Sequence, residues 1–107
     1  MNFFRIQKKG IKFEDMKSYV SADGGDDMEA AGGLCVCGMA SGMDGGSQFG
    51  GAWDAYRDDE AEIVVLRGDV ICKIYDGYRI EPVKEIARFT KGEWRKMLDD
   101  ETAYDYE

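Results

Sequence analysis

EIVVLRGDVICKIYDGYRIEPV, the stretch from Glu62 to Val83, decides the fold class. Three runs rich in Val, Ile and Tyr are separated by Gly68-Asp69 and Asp76-Gly77, the pattern of strands joined by two-residue turns. An antiparallel meander is expected. A type I′ loop at Asp76-Gly77 sets Tyr75 opposite Tyr78 and Lys73 opposite Ile80, and a loop at Gly68-Asp69 sets Leu66 opposite Ile71 and Val65 opposite Cys72. Val64, Leu66, Ile71, Tyr75, Tyr78 and Ile80 then share one face. Ile63, Val65, Val70, Cys72 and Ile74 form the other, which turns polar at Arg79 and Glu81. The run 63–66 is apolar towards both faces and is expected as the central strand. Pro82 lacks a donor for the ladder and suits the end of an edge strand.

Upstream, Asn2 to Ile6 reads as a strand closed by the turn Gln7-Lys8-Lys9-Gly10. From Lys12 to Val20 the period changes: Phe13, Met16, Tyr19 and Val20 recur at helical spacing, with Glu14 and Asp15 in the first turn. A short amphipathic helix is expected there. Two glycine-rich loops follow, SADGGDDMEAAGG at 21–33 and GMASGMDGGSQFGG at 38–51, and between them Leu34-Cys35-Val36-Cys37 is a compact apolar strand. Trp53 and Tyr56 at i, i+3 fit a one-turn helix over the sheet. Downstream, the stretch 83–89 fits either a fourth strand or an extended connection. Thr90-Lys91-Gly92-Glu93 is a capping box opening a helix that runs to about Asp100, and 102–107 reads as an acidic tail.

The 107 residues are expected to form a single α+β domain spanning 1–107, with an antiparallel sheet of four or five strands packed by one N-terminal and one C-terminal helix. No apolar run reaches membrane-spanning length and the N-terminus lacks a secretory apolar stretch, so no membrane association and a cytoplasmic location in a host cell are expected. Three cysteines and no histidine suit a reducing compartment.

Net charge is −8 and uneven. Between Ser18 and Tyr56 there is no Lys or Arg, while Asp23, Asp26, Asp27, Glu29, Asp44 and Asp54 fall in that span. Asp58, Asp59, Glu60 and Glu62 form a second acidic group, and Asp99, Asp100, Glu101, Asp105 and Glu107 a third. Direct binding to nucleic-acid phosphates is not expected, because its affinity comes from Lys and Arg releasing counterions. A basic partner is the converse expectation.

The absence of histidine excludes Ser–His–Asp and Cys–His nucleophilic mechanisms. Cys35 and Cys37 lack zinc spacing and a fourth ligand, so buried thiols are expected rather than a metal site. Neither glycine loop carries a phosphate-loop pattern, and the acids at 23–29 lack the EF-hand order. No cofactor is expected.

Two resemblances bear on function. Glu60-Ala61-Glu62 before IVVLRGDVI resembles the E-x-E motif that precedes a strand in mono-ADP-ribosyltransferases, which implies an NAD-dependent enzyme with Glu62 catalytic, Glu60 its partner and Arg5 binding NAD. The spaced acids on a small histidine-free α+β chain resemble, by type, phage and mobile-element inhibitors that include anti-CRISPR proteins, some similar to nucleic-acid mimics. That implies a binder rather than an enzyme, inhibiting a basic nucleic-acid-handling partner such as a CRISPR nuclease. Its expected contact residues are Asp23, Asp26, Asp27 and Glu29 with Asp58, Asp59 and Glu60. The inhibitor is the expectation taken forward, with the transferase as the alternative.

Overall fold

The computed structural model describes residues 1–16, 33–43, 56–74 and 77–107. Four antiparallel strands form one sheet: β1 (Phe3–Lys8), β2 (Leu34–Val36), β3 (Ala61–Ile74) and β4 (Gly77–Thr90), in the order β1-β3-β4-β2. One α-helix, α1 (Lys91–Asp99), follows directly on β4. Single 3₁₀ segments occupy Phe13–Asp15, Ala40–Met43 and Thr102–Tyr106.

The run 63–66 is central, as its two-sided apolar pattern predicts. Ile63, Val64, Val65 and Leu66 are fully buried between β1 and β4. Cross-strand pairs share a face, so the pairs Phe3–Leu66 and Arg5–Val64 point one way while Phe4–Val65 and Ile6–Ile63 point the other. The first face carries Phe3, Val64, Leu66, Leu34, Val36 and Ile80, flanked by Phe13, Met16 and Tyr78. The second carries Phe4, Ile6, Ile63 and Val65 and is roofed by Trp94 of α1 and Ala103. Trp94 lies between Phe4 and Phe89, with ring centroids 5.6 and 5.8 Å away.

The expected three-strand meander is corrected to one long hairpin. Gly68-Asp69 is no turn; β3 runs through it, with register shifts at Arg67/Gly68 and Val70/Cys72. Glycine serves a bulge here: a Cβ on Gly68 would lie 2.5 Å from the Glu81 carbonyl oxygen, so only glycine lets the β4 backbone come that close. Ile71, expected inside, is the extra residue of the second shift and is 42 % exposed. The hairpin pairs Ile74 with Gly77 and Lys73 with Tyr78, so Tyr78 lies opposite Lys73 rather than Tyr75, two residues displaced from the expected register. Pro82 does not end a strand. It pairs with Gly68 at the bulge, where β2, paired only to 78–80, does not reach, so its missing N–H is tolerated.

Of the two expected helices, one forms among the described residues. Phe13–Asp15 is a single 3₁₀ turn whose Phe13 and Met16 pack on the first sheet face, and 17–20 lie outside the described residues, as do most of the two glycine-rich stretches and 52–55. The C-terminal helix starts on the predicted box: the Glu93 N–H donates to Thr90 Oγ1 at 3.1 Å and the Thr90 N–H to Glu93 Oε1 at 2.9 Å. The expected solvated tail is corrected as well. Glu101 takes a left-handed φ of 64°, turning the chain so that Ala103 is buried and Tyr106 meets Phe89 edge-on at 5.3 Å. Asn2 Nδ2 donates to the Tyr106 carbonyl at 2.7 Å and the Ala40 N–H to Glu107 Oε1 at 2.8 Å.

The outer strands of the sheet also meet. Phe4 and Cys37 exchange two 2.8 Å backbone hydrogen bonds, tying the end of β2 to β1 and closing the four strands into a ring of pairings. Among the described residues no helix is long and apolar enough to cross a membrane.

Candidate functional site

Asp23, Asp26, Asp27 and Glu29 lie outside the described residues. Of the second acidic group, Asp58, Asp59 and Glu60 lie in the turn leading into β3 and Glu62 on β3 itself, and all but Asp59 are already engaged. Asp58 Oδ2 accepts from Arg95 Nη1 at 3.1 Å, with both side chains about half exposed. Glu60 accepts from the Arg57 N–H at 3.2 Å and from Arg57 Nε at 2.8 Å. The backbone N–H first, and the Arg57 side chain after it, hold the Glu60 carboxyl below its ordinary pKa. Asp59 is exposed and takes part in no ion pair among the described residues.

The third group proves the more orderly. Asp99, Asp100, Glu101 and Asp105 are exposed on the α1–3₁₀ unit that roofs the second sheet face, and none takes part in an ion pair among the described residues. From sequence, Asp99 and Asp100 fall at the helix end and 102–107 reads as an acidic tail, because the anchors, Ala103 and Tyr106, are too few to show a period.

Glu62 and Arg5 hold structural positions. Arg5 is 2 % exposed, and its Nη1 donates to the Cys35 carbonyl at 2.8 Å, so the guanidinium bridges β1 to β2 inside the domain. Glu62 Oε1 accepts from the Gly10 N–H at 2.8 Å and from Arg88 Nη1 at 3.2 Å. Arg88 Nη1 also donates to the Ile11 carbonyl at 2.6 Å, and Nη2 binds Glu85. Burial works against the Arg88 charge, yet hydrogen bonds to Glu85 and Glu62 raise its pKa above the ordinary arginine value.

Beside this network lies a cleft of about 620 Å³ on the first sheet face, lined by Lys9, Lys12, Lys84, Arg88, Glu62 and Glu85, with Phe13 and Val83 as its apolar wall. No sequence motif announces it. Its residues come from the β1 turn and from β4, and only the strand register brings them together. The three lysines of the cleft thus lie on the first face, while the acids of the C-terminal unit sit on the second, beside Arg95 and Lys96 of α1.

Cys35 and Cys37 are 7 % and 4 % exposed, and none of the three cysteines is in a disulfide. Among the described residues no three His, Cys, Asp or Glu side chains group as metal ligands. No protein-family model, no curated protein and no solved structure matches this chain.

Proposed function

We propose that the chain is a small acidic binding protein that inhibits a nucleic-acid-handling partner by placing carboxylates where phosphates would bind, in the manner of anti-defence inhibitors of the anti-CRISPR type. The observation that carries this reading is the set Asp99, Asp100, Glu101 and Asp105, exposed on the packed C-terminal unit and in no ion pair among the described residues. Carboxylates fixed on packed structure project a directed negative potential and lose little freedom on docking. A basic phosphate channel is complementary to such a surface.

The second cluster contributes differently. Exposed pairs such as Asp58–Arg95 and Arg57–Glu60 are screened by solvent and weakly held, so a partner's Lys or Arg can exchange with the internal cation. Asp59 is open at once.

The test is recovery of a partner from host lysate at low salt, followed by elution with a short DNA duplex. Support is a partner that the duplex displaces and that releases its nucleic acid when this chain is added. Charge-neutral changes at Asp99, Asp100 and Glu101 should slow its association, as should those at Asp58, Asp59 and Glu60. Equal binding by these variants at low salt, or a ternary complex with nucleic acid still bound, refutes the proposal.

A further inference from the structure

From the cleft between the Lys9–Phe13 segment and residues 83–88 of β4, we infer a binding site for a phosphate-bearing small molecule whose ring or alkyl portion lies over Phe13 and Val83. At about 620 Å³ it has the size of small-molecule sites, which run from about 300 to 1,000 Å³.

The charge balance at its rim sets the sign of the ligand. Glu62 and Glu85 are both bound to Arg88, so the guanidinium is fully engaged and one carboxylate charge is left over. Lys9, Lys12 and Lys84 remain, and none takes part in an ion pair among the described residues. With four cations against two acids the cleft lining carries a net +2, in a chain of net charge −8, a local reversal of the protein's field. An anion placed among the lysines relieves their mutual repulsion.

The wall that carries two of these lysines is built rather than loose. Gly10 donates to Glu62, Arg88 donates to the Ile11 carbonyl, and Gln7 Nε2 donates to the same carbonyl at 3.1 Å. Three side chains from β1, β3 and β4 thus hold a segment of five residues in place before any ligand arrives, which lowers the cost of binding.

The chemistry of the cations selects among anions. A planar carboxylate is matched best by the guanidinium fork, and the fork at this cleft is occupied by the chain's own acids. Ammonium groups act as point charges and suit the more highly charged, tetrahedral phosphate. The apolar wall supplies the second requirement. Val83 is 63 % exposed and Phe13 is half-buried, so a ligand with a ring or chain attached to its phosphate covers surface that inorganic phosphate leaves wet.

This site is independent of the acidic surface, and its test separates the two. The ¹⁵N-labelled protein is titrated with phenyl phosphate and with ATP, and in parallel with inorganic phosphate and with isophthalate, an aromatic dicarboxylate of comparable size. Saturable shifts confined to the amides of Lys9, Gly10, Lys12, Phe13, Lys84 and Glu85 are expected for both organic phosphates. Weaker binding is expected for inorganic phosphate and for isophthalate. The exposed double change Lys12→Gln with Lys84→Gln should weaken ATP about tenfold or more, and Val83→Ser should weaken phenyl phosphate while leaving inorganic phosphate unchanged. Neutralising Asp99, Asp100 and Glu101 should leave the cleft's affinities unweakened. Absence of saturable shifts with both organic phosphates overturns the inference. Isophthalate binding as tight as phenyl phosphate does the same, and so does a lysine double variant that binds like the parent.

Discussion

Replacing Gly68 with alanine tests the bulged hairpin directly. The new Cβ would lie 2.5 Å from the Glu81 carbonyl oxygen and 2.9 Å from Ile80 Cδ1, the first of these about 0.9 Å short of ordinary contact. Glu81 belongs to the backbone of β4, so relief requires the two longest strands to part locally. Overpacking of this kind costs about 1–3 kcal/mol. For a domain of this size that corresponds to a fall in melting temperature of roughly 4–20 °C. The change is read by thermal and urea denaturation followed by circular dichroism, with the urea slope unchanged. A double-mutant cycle with Ile80→Val then isolates the contact. Removing Cδ1 alone costs about 0.5–1.5 kcal/mol, because Ile80 is fully buried, but in the Gly68→Ala background it also relieves the overlap. The two changes should therefore be less than additive by about 0.5 kcal/mol or more. If Gly68-Asp69 were a turn between separate strands, Gly68 and Ile80 would not be neighbours and the effects would add. A melting temperature within about 2 °C of the parent, or strict additivity, refutes the bulge.

Arg5→Ala should destabilise the fold by about 2 kcal/mol or more, since it removes a buried cation that satisfies the Cys35 carbonyl; an unchanged urea midpoint would contradict the structural role. Deleting 102–107 uncovers Phe89 and Trp94 and removes the acceptor for the Ala40 N–H, so the urea midpoint should fall by an amount corresponding to about 2–4 kcal/mol, whereas a solvated tail would leave it untouched. The Thr90 N–H first, and the Thr90 hydroxyl system with it, depress the Glu93 pKa. The unfolded chain therefore binds the proton first on acidification, and this stabilisation is present above the ordinary glutamate value of about 4.3 and is lost as pH falls through the folded pKa. The stability difference between parent and Glu93→Gln should accordingly shrink between pH 7 and pH values below that range; a difference that stays constant across it would contradict the charged cap.

Local rules carried the sequence reading where the determinant is local. Thr90 and Glu93 satisfy each other within one turn, and the run 63–66 shows its two-sided burial in its own composition. The reading failed where one residue type serves two purposes. Gly-Asp is turn chemistry along the chain, but at 68 the glycine answers a backbone on another strand, which no window around it contains. The helical period at 12–20 rests on Phe13 and Met16, whose sheet contacts are equally met from a 3₁₀ turn. At the acidic clusters, the Arg57–Glu60 pair was within reach of sequence, being three residues apart, while Arg95 reaches Asp58 only because α1 begins against that turn, with the Gly92 N–H donating to the Asp58 carbonyl. The lysine cleft was illegible for the same reason, since its two walls meet only after β1 and β4 have both docked on β3.

The Phe4–Cys37 closure has a kinetic corollary. The long hairpin is made of contacts near in sequence and can organise early, but β1 must find β3 across most of the chain and then be met by β2 from the opposite side. Both events cost loop-closure entropy before any burial offsets it, which places this small protein among the slower-folding topologies despite its size. Weakened packing in β1, the strand whose docking sets that rate, would thus express itself as slower refolding and not only as faster unfolding.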